Sequence, residues 1–557
     1  VKIYRKRIAC IGIAAAIAVL LASCSSDGDS STETQESLEP SASATVSASS
    51  SPTAEEAPTA EEAMPSPTAA DVATAPATAT AVAEPAAVPA GGTLRIAALS
   101  SPADTLNPAA TTGQLEYSVL FHIHDSLVLQ KGGEFVLQLA ESIEPNADAT
   151  EWTITLVEGA RFHDGRPVTA ADVAYSLGLL AASPNFGQSY AAVNLEGSTT
   201  VDDRTLIIPM RAPRGDLLEA VFGQLSLIVP DGFTDWGNNI GSGPYKLVSF
   251  EPGVGALLER NPDYWGDPPA LDTLEFVGIA DPATRLNALR SGDIDYAWNI
   301  SAAGAASIEG DSSLETHRDS GGGSLIRGFV LNLNTPPFDN PDVVRAVKLA
   351  IDRQALIDVV LLGNGEIGND MPSKGLPGYN DSIPQVERDV DTARELFTAA
   401  GVDSFTMRAA DLVPGIVDSS ELFAQQMAEA GVTVTVEEAD AATYFDDFAA
   451  VFSTPAQGMY YINRSAGVHM GSFSGSQGTF NISGYATPEF DAGLADMQAT
   501  VNVDERLQKT EELLAMIHYE DGLVVWAFEP QINASIPGIE RVSLIQSSPY
   551  FASAYLN

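Results

Sequence analysis

Asp281-Pro282-Ala283-Thr284-Arg285-Leu286-Asn287-Ala288-Leu289-Arg290-Ser291-Gly292-Asp293-Ile294-Asp295-Tyr296-Ala297-Trp298 is the stretch of this chain that decides its architecture. An aspartate followed by proline caps and starts a helix, because the proline nitrogen needs no partner in the first turn. Leu286 and Leu289 fall on one face of that helix, and Gly292 supplies the left-handed residue that ends it. Ile294, Tyr296 and Trp298 then alternate as a strand. Helix, glycine, strand is the grammar of a crossover onto a sheet.

The same grammar recurs on both sides. Leu94 and Ile96 alternate with Thr93 and Arg95 just after Gly91-Gly92, and Trp152, Ile154 and Leu156 alternate in another strand. Asp164-Gly165 marks a turn, and Thr169-Ala170-Ala171-Asp172 is close to a capping box whose helix turns Val173, Leu177 and Leu180 inward. Asn340-Pro341 opens a helix with Val344, Val347 and Ile351 on one face. Further helices run from near Asp352 to Gly363 and from Asp391 to Gly401. One carrying Leu422 and Met427 ends at Gly431, and Val432, Val434 and Val436 alternate directly after it. These alternations predict an α/β fold, and a body of about 465 residues built this way divides into two or more lobes.

Before this body stand two other kinds of sequence. Lys2, Arg5, Lys6 and Arg7 precede the apolar run Ile8 to Leu21, the pattern of a secretory signal. Leu21-Ala22-Ser23-Cys24 followed by Ser25-Ser26-Asp27 resembles a bacterial lipobox, which implies that the Cys24 thiol receives a diacylglyceryl group. Two acyl chains, at about 0.8 kcal/mol per buried CH₂, meet the condition for stable membrane anchoring. Residues 25–92 contain no Lys or Arg, and Pro52-Thr53-Ala54-Glu55-Glu56-Ala57 repeats at once as Pro58-Thr59-Ala60-Glu61-Glu62-Ala63. Such composition cannot bury enough surface to offset the entropy of ordering it. It reads as a tether averaging roughly 45 Å end to end.

Charge and cysteine usage narrow the function classes. Lys and Arg total 28 against 74 Asp and Glu, a net charge of −46. Removing the four signal-region cations leaves 24 against 74, a net −50. A surface that acidic repels nucleic acid. The two cysteines are Cys10 and Cys24, so the body beyond Cys24 has neither disulfides nor thiolate metal sites. No later stretch is long and apolar enough to form a second membrane span.

Several runs, in order, resemble the peptide/nickel class of extracellular solute-binding proteins, the family-five receptors of ABC importers. They begin with Gly91-Gly92-Thr93-Leu94-Arg95-Ile96 and Asp104-Thr105-Leu106-Asn107-Pro108. Leu139-Ala140-Glu141-Ser142, Trp152-Thr153-Ile154 and Phe162-His163-Asp164-Gly165 follow. Gly241-Ser242-Gly243-Pro244-Tyr245, Asn261-Pro262-Asp263-Tyr264-Trp265, Ser291-Gly292-Asp293-Ile294-Asp295 and Leu331-Asn332-Leu333-Asn334 complete the set.

The resemblance implies a two-lobed periplasmic-binding-protein-like fold of type II, with a hinge of crossing strands and a ligand cleft between the lobes. On that reading residues 1–23 are the signal, 24–92 the anchored tether and 93–330 the first lobe, with an extra subdomain at about 131–240. Residues 331–522 are then the second lobe, and 523–557 return to the first. The implied function is capture of a peptide or peptide-like small solute, delivered to an ABC permease and its ATPase by a monomeric receptor on the outer face of the cell membrane. It needs no cofactor.

Peptide binders of this family usually carry an aspartate in the second lobe, after an aromatic pair, to hold the ligand's α-amino group. The corresponding segment is Tyr460-Tyr461-Ile462-Asn463-Arg464, where the aromatics are present and the acid is absent. An Arg464 guanidinium suits a carboxylate or phosphate through bidentate bonds; a surface charge is the plain alternative. Gln114, Glu116, Trp298 and Asn334 join Tyr460, Tyr461, Asn463 and Arg464 as candidate ligand contacts, against solvated-loop or buried structural roles. His122 and His124 alternate and would share one strand face, and His469-Met470 pairs imidazole with thioether, but no third metal ligand is visible. A nickel-complex receptor and a stand-alone sensor remain alternatives. No nucleophile elbow, zinc-protease pair or phosphate loop supports an enzyme.

Overall fold

Leu94 and Ile96 are fully buried in the strand Thr93–Ala98, the middle of the largest sheet in the first lobe. The structure, a computed structural model, describes residues 91–557 apart from Gly132, Gly323, Asp446 and Asp447. The signal, Cys24 and the repeats before Gly91 lie outside the described residues. Gly91 and Gly92, expected as the last residues of the tether, are already tied to the body: Gly91 N–H donates to Ala270 O at 2.8 Å. Their φ values of 108° and 94° favour glycine at both positions.

Seven strands form the first sheet, in the order Glu315–Asp319, Gln531–Ser535, Tyr296–Ala297, Thr93–Ala98, Thr273–Gly278, Gly255–Arg260 and Tyr245–Glu251. The crossover from the opening stretch is present: Asp281 accepts from Thr284 N–H, the helix is Pro282–Ser291, and Gly292 ends it at φ 78°. The strand after it is only Tyr296–Ala297, with Trp298 beyond its end. A separate four-stranded sheet orders Ala140–Pro145, Glu151–Leu156, Thr205–Pro209 and Thr199–Thr200. The helix Ala170–Ala181 belongs to the same region, with Val173, Leu177 and Leu180 buried.

The second lobe is a six-stranded sheet ordered Glu366–Ile367, Leu523–Glu529, Leu325–Leu331, Ala456–Ile462, Ser404–Ala409 and Thr433–Glu438. Both faces of its central strands are covered. Ile326 and Val330 enter one apolar cluster while Phe329 and Leu331 enter another, so these strands read as continuous hydrophobic runs. The chain crosses between the two sheets from Asp319 to Leu325 and from Glu529 to Gln531. The strand Leu325–Leu331, which the expected boundary at 330 would cut, and the strand Leu523–Glu529, expected with the first lobe, pair with each other in this second sheet.

Motifs that carried the resemblance do structural work. Arg95 and Asp295 form a bidentate pair at 2.6 and 3.0 Å, locking the first strand to the segment after the crossover helix. His163 Nε2 donates to Gly243 O at 3.0 Å and its Nδ1 accepts from Gly241 N–H at 3.2 Å. A Cβ at Gly241 would lie 1.6 Å from Ile123 O, so the loop needs glycine there for close approach. Buried Asp125 accepts from Tyr264 and Trp265 at 2.9 and 2.8 Å and from Gln138 at 2.7 Å.

The buried imidazoles give acid sensitivity with a definite sign. Burial pushes His122, His124 and His163 down to about 4, and burial with the Arg464 charge pushes His469 down to about 3. Each of these histidines is neutral when folded, whereas the unfolded chain protonates near the ordinary value of about 6.5. Unfolded protein therefore binds more protons below that pH, and stability falls as pH drops from about 6.5 toward 4. Asp125, pushed up to about 6 by burial, opposes this, as do the carboxyls of Glu116, Asp521 and Glu529, which burial also raises. The urea midpoint is expected to be flat above pH 7 and to fall steadily between pH 6 and pH 4.5. A midpoint that rises over that interval would contradict neutral burial.

Candidate functional site

The strand Ala456–Ile462 runs antiparallel to Leu325–Leu331 with Ile462 opposite Leu325, so its last residues emerge beside the crossing between lobes. Alternation along it sends Tyr460 and Tyr461 to opposite faces. Tyr461 enters the second lobe's core, its ring 5.4 Å from His469 and 4.7 Å from Phe473. It borders a cavity of about 10 Å³ shared with Ser474, Ser483 and Asp521, room for a single water. Tyr460 faces the other way, in the field of Arg327 and Arg464, which oppose the upward push of burial on its phenol.

Asn463 is spent on the fold. Its amide oxygen accepts from Ser373 N–H at 2.9 Å, and its amide nitrogen donates to Lys374 O at 2.9 Å and Gly321 O at 3.3 Å. It therefore braces the crossing and positions the residue after it. That residue, Arg464, is half-buried. No described residue hydrogen-bonds or ion-pairs with its guanidinium. Burial lowers its pKa, opposed by the phenols of Tyr117 and Tyr460.

Tyr117 comes from the first lobe, on the helix Gln114–Ile123. The Arg464 charge opposes the upward push of burial and of the Glu116 charge on the Tyr117 phenol. Gln114 lies one turn away on the same helical face, and its Oε1 is buried without a partner. Helical spacing from Gln114 was the signal that could have found Tyr117. Nothing in the sequence distinguished Ser465, whose buried Oγ is also unpartnered beside Arg464.

The other candidates are held elsewhere. Glu116 is buried and accepts backbone N–H bonds from Thr105, Thr112 and Gly113 at 2.5, 2.6 and 2.5 Å, so it ties down the loop before its helix. Trp298 is buried in the first lobe's core, and its Nε1 donates to Gln531 at 2.7 Å when that amide is oriented to satisfy both its groups. Asn334 is exposed beyond Leu331, whose partner is Ala456, at the opposite end of the strand pair from Ile462. Tyr460 and Arg464 stand at the end of the strand nearest the crossing, Gln114 is on a first-lobe helix, and Asn334 lies past the other end of the strand pair.

His122 Nδ1 donates to Ser118 O at 2.6 Å and its Nε2 accepts from Phe551 N–H at 2.9 Å. His124 is engaged by Ile228 O and Asn239 at 3.1 and 2.9 Å. Both imidazoles tie the first lobe together and have no nitrogen left for a metal. Met470 and His469 are buried in the second lobe, and His469 packs against aromatic rings there.

Across the rim the lobes touch directly. Gly215 N–H, in the first lobe, donates to Gln498 O in the second at 2.6 Å. Arg506 of the second lobe pairs with Glu219 of the first and also donates to Thr500 O at 2.8 Å. Val468 of the second lobe packs on the first lobe's apolar cluster. Two lobes joined by two chain crossings and touching across a rim are the architecture of a two-lobed binding protein.

Residues 134–477 match the model for bacterial extracellular solute-binding proteins, family 5, and the chain belongs to that family. It is 26% identical over 363 residues to a glutathione-binding protein GsiB of Pectobacterium atrosepticum, covering 62% of this chain and 69% of that protein. It is 23% identical over 511 residues to a probable peptide-binding protein YejA of Agrobacterium fabrum, covering 76% and 82%. The ABC transporter substrate-binding protein CtaP of Listeria monocytogenes shares the fold, with TM-score 0.74 at 20% identity over 84% of this chain and 99% of CtaP. No described helix is long and apolar enough to cross a membrane.

Proposed function

We propose that this chain is the substrate-binding lipoprotein of an ABC importer, which captures a peptide or peptide-like small solute between its lobes and hands it unchanged to a membrane permease. The observation that supports this reading is the two-lobed architecture: two sheets joined by chain crossings, with the lobes in direct contact at Gly215–Gln498 and Arg506–Glu219. The names of the GsiB and YejA relatives support a peptide-like ligand. Gln114, Tyr117, Tyr460 and Arg464 are the contacts we assign to the solute; Glu116, Trp298, Tyr461 and Asn463 hold the frame around it. On this reading Cys24 carries the lipid.

Native mass spectrometry of the full chain tests this. A retained or added small solute is expected at one per chain, without turnover. At about 100 times its Kd it should stabilise the fold by about 2.7 kcal/mol in a thermal shift. The Cys24→Ser chain is expected in the medium rather than the membrane fraction. Chemical conversion of the solute would overturn the receptor reading, and a membrane-bound Cys24→Ser chain would overturn the anchor.

A further inference from the structure

Glu219 stands on a single wide turn, Leu218–Phe222, in which Gly223 N–H donates to Leu218 O, five residues back, at 2.7 Å. Turns of this π type are rare and frequently mark functional positions. Val221 and Phe222 of the turn are buried in the first lobe's core, so the carboxylate is carried by a fixed backbone. One Glu219 oxygen accepts from Arg506 of the second lobe, and the other, Oε2, is buried without a partner among the described residues.

Arg506 is oriented by its own lobe. It lies in the first turn of the helix Val503–Glu520, whose cap is Asn502, and its Nη1 donates to Thr500 O at 2.8 Å and Val501 O at 3.2 Å. Lys509 braces the same corner through Thr500 Oγ1 at 2.9 Å and Asp496 at 2.7 Å. Little side-chain entropy is therefore left for the guanidinium to lose when the lobes meet. Arg506 is buried, and of these hydrogen-bond partners only Glu219 carries a charge. A buried cation held by carbonyls is strongly destabilised when its counter-charge is removed.

Neighbouring pairs do not join the lobes: Arg214–Asp216 lies wholly in the first and Lys509–Asp496 wholly in the second. The rim around Arg506 and Glu219 fits closely, with Gly215 N–H reaching Gln498 O at 2.6 Å and Val468 packed on first-lobe side chains. Both lobes belong to a chain with 74 acidic against 28 basic residues, so their surfaces repel on approach, and a cation fixed on one side offsets that.

We propose that Arg506 and Glu219 are positioning residues for closure, a latch built into the rim that holds the lobes together in the absence of solute. It goes beyond the receptor reading, because the latch acts on lobe position whatever the cleft holds.

Hydrogen exchange tests this on the full chain, refolded from urea to remove retained solute, because the Gly215 amide bonds across the rim. In the wild type that amide is expected to be protected at least a hundredfold relative to an unfolded peptide. Glu219→Ala is expected to speed its exchange at least tenfold, and Glu219→Gln, which keeps the shape and loses the charge, by a smaller factor. Amides of Thr93–Ala98 and Leu325–Leu331, inside the two sheets, should exchange as in the wild type. On an Arg506→Gln background Glu219→Ala should add less than twofold, since its partner is already gone. Fast Gly215 exchange in the wild type, unchanged exchange in Glu219→Ala, or a full tenfold addition in the double variant would overturn the latch. So would faster exchange within both sheets, which marks lost folding rather than lost closure. None of these outcomes bears on solute capture, which the mass spectrometry above tests by itself.

Discussion

Gly215→Ala is expected to weaken solute binding by at least about tenfold, roughly 1.4 kcal/mol or more of closure free energy, while the protein still folds. A Cβ at Gly215 would lie 2.0 Å from Thr500 O and 2.8 Å from Val501 N, both backbone atoms of the opposite lobe. Backbone cannot step aside as a flexible side chain can, so the lobes must stay apart by the missing distance. Gly215 does not use a left-handed φ, and alanine carries no strain within its own lobe. The substitution therefore acts on closure rather than on folding. Calorimetry gives the affinity, and small-angle scattering with solute should show a larger radius of gyration than wild type. Unchanged affinity with an unchanged radius would mean that the 215–219 rim does not have to meet the second lobe.

Asp370→Asn is expected to cost about 3–5 kcal/mol of stability in the second lobe, the range for a buried ion pair losing one partner. Asp370 is fully buried and accepts two bonds from Arg353 at 2.9 and 2.7 Å, with Lys348 close enough to feel its charge. Asparagine keeps the shape and tolerates the φ of 55° at this position, so the loss isolates the charge. Arg353 then remains buried with backbone carbonyls as partners but no counter-charge. Denaturant unfolding of the wild type and the variant measures the difference. A difference under about 1 kcal/mol would show that water or rearrangement replaces Asp370.

Much of the fold was legible because chain reversals are written in a few residues. Gly292, Gly401 and Gly431 end their helices at φ 78°, 69° and 88°, as the spacing of apolar residues before them required. Asn340 and Asp352 cap helices where the sequence put them; the cap of the third is Asp389, two residues before the expected Asp391. Leu422 is only partly buried and Phe423 carries the core contact, a one-residue shift that helical period alone does not resolve.

The site was less legible, for a physical reason. Whether a polar side chain is free for ligand depends on what the backbone around it has consumed. Glu116 and Asn463 have the chemistry of ligand contacts, but three N–H groups satisfy the first and three backbone groups the second. Arg464 is the converse case: its position after an aromatic pair could be read, and its lack of a partner among the described residues could not. Tyr460 and Tyr461 differ by one residue and by a whole face of the sheet.

The most direct measurement is a crystal structure of the full chain with its solute bound. The expected result is a molecule touching Tyr117 from the first lobe and Arg464 from the second, with Gly215 still against Gln498. A solute held wholly within one lobe, with Arg464 still unpartnered, would contradict capture between the lobes.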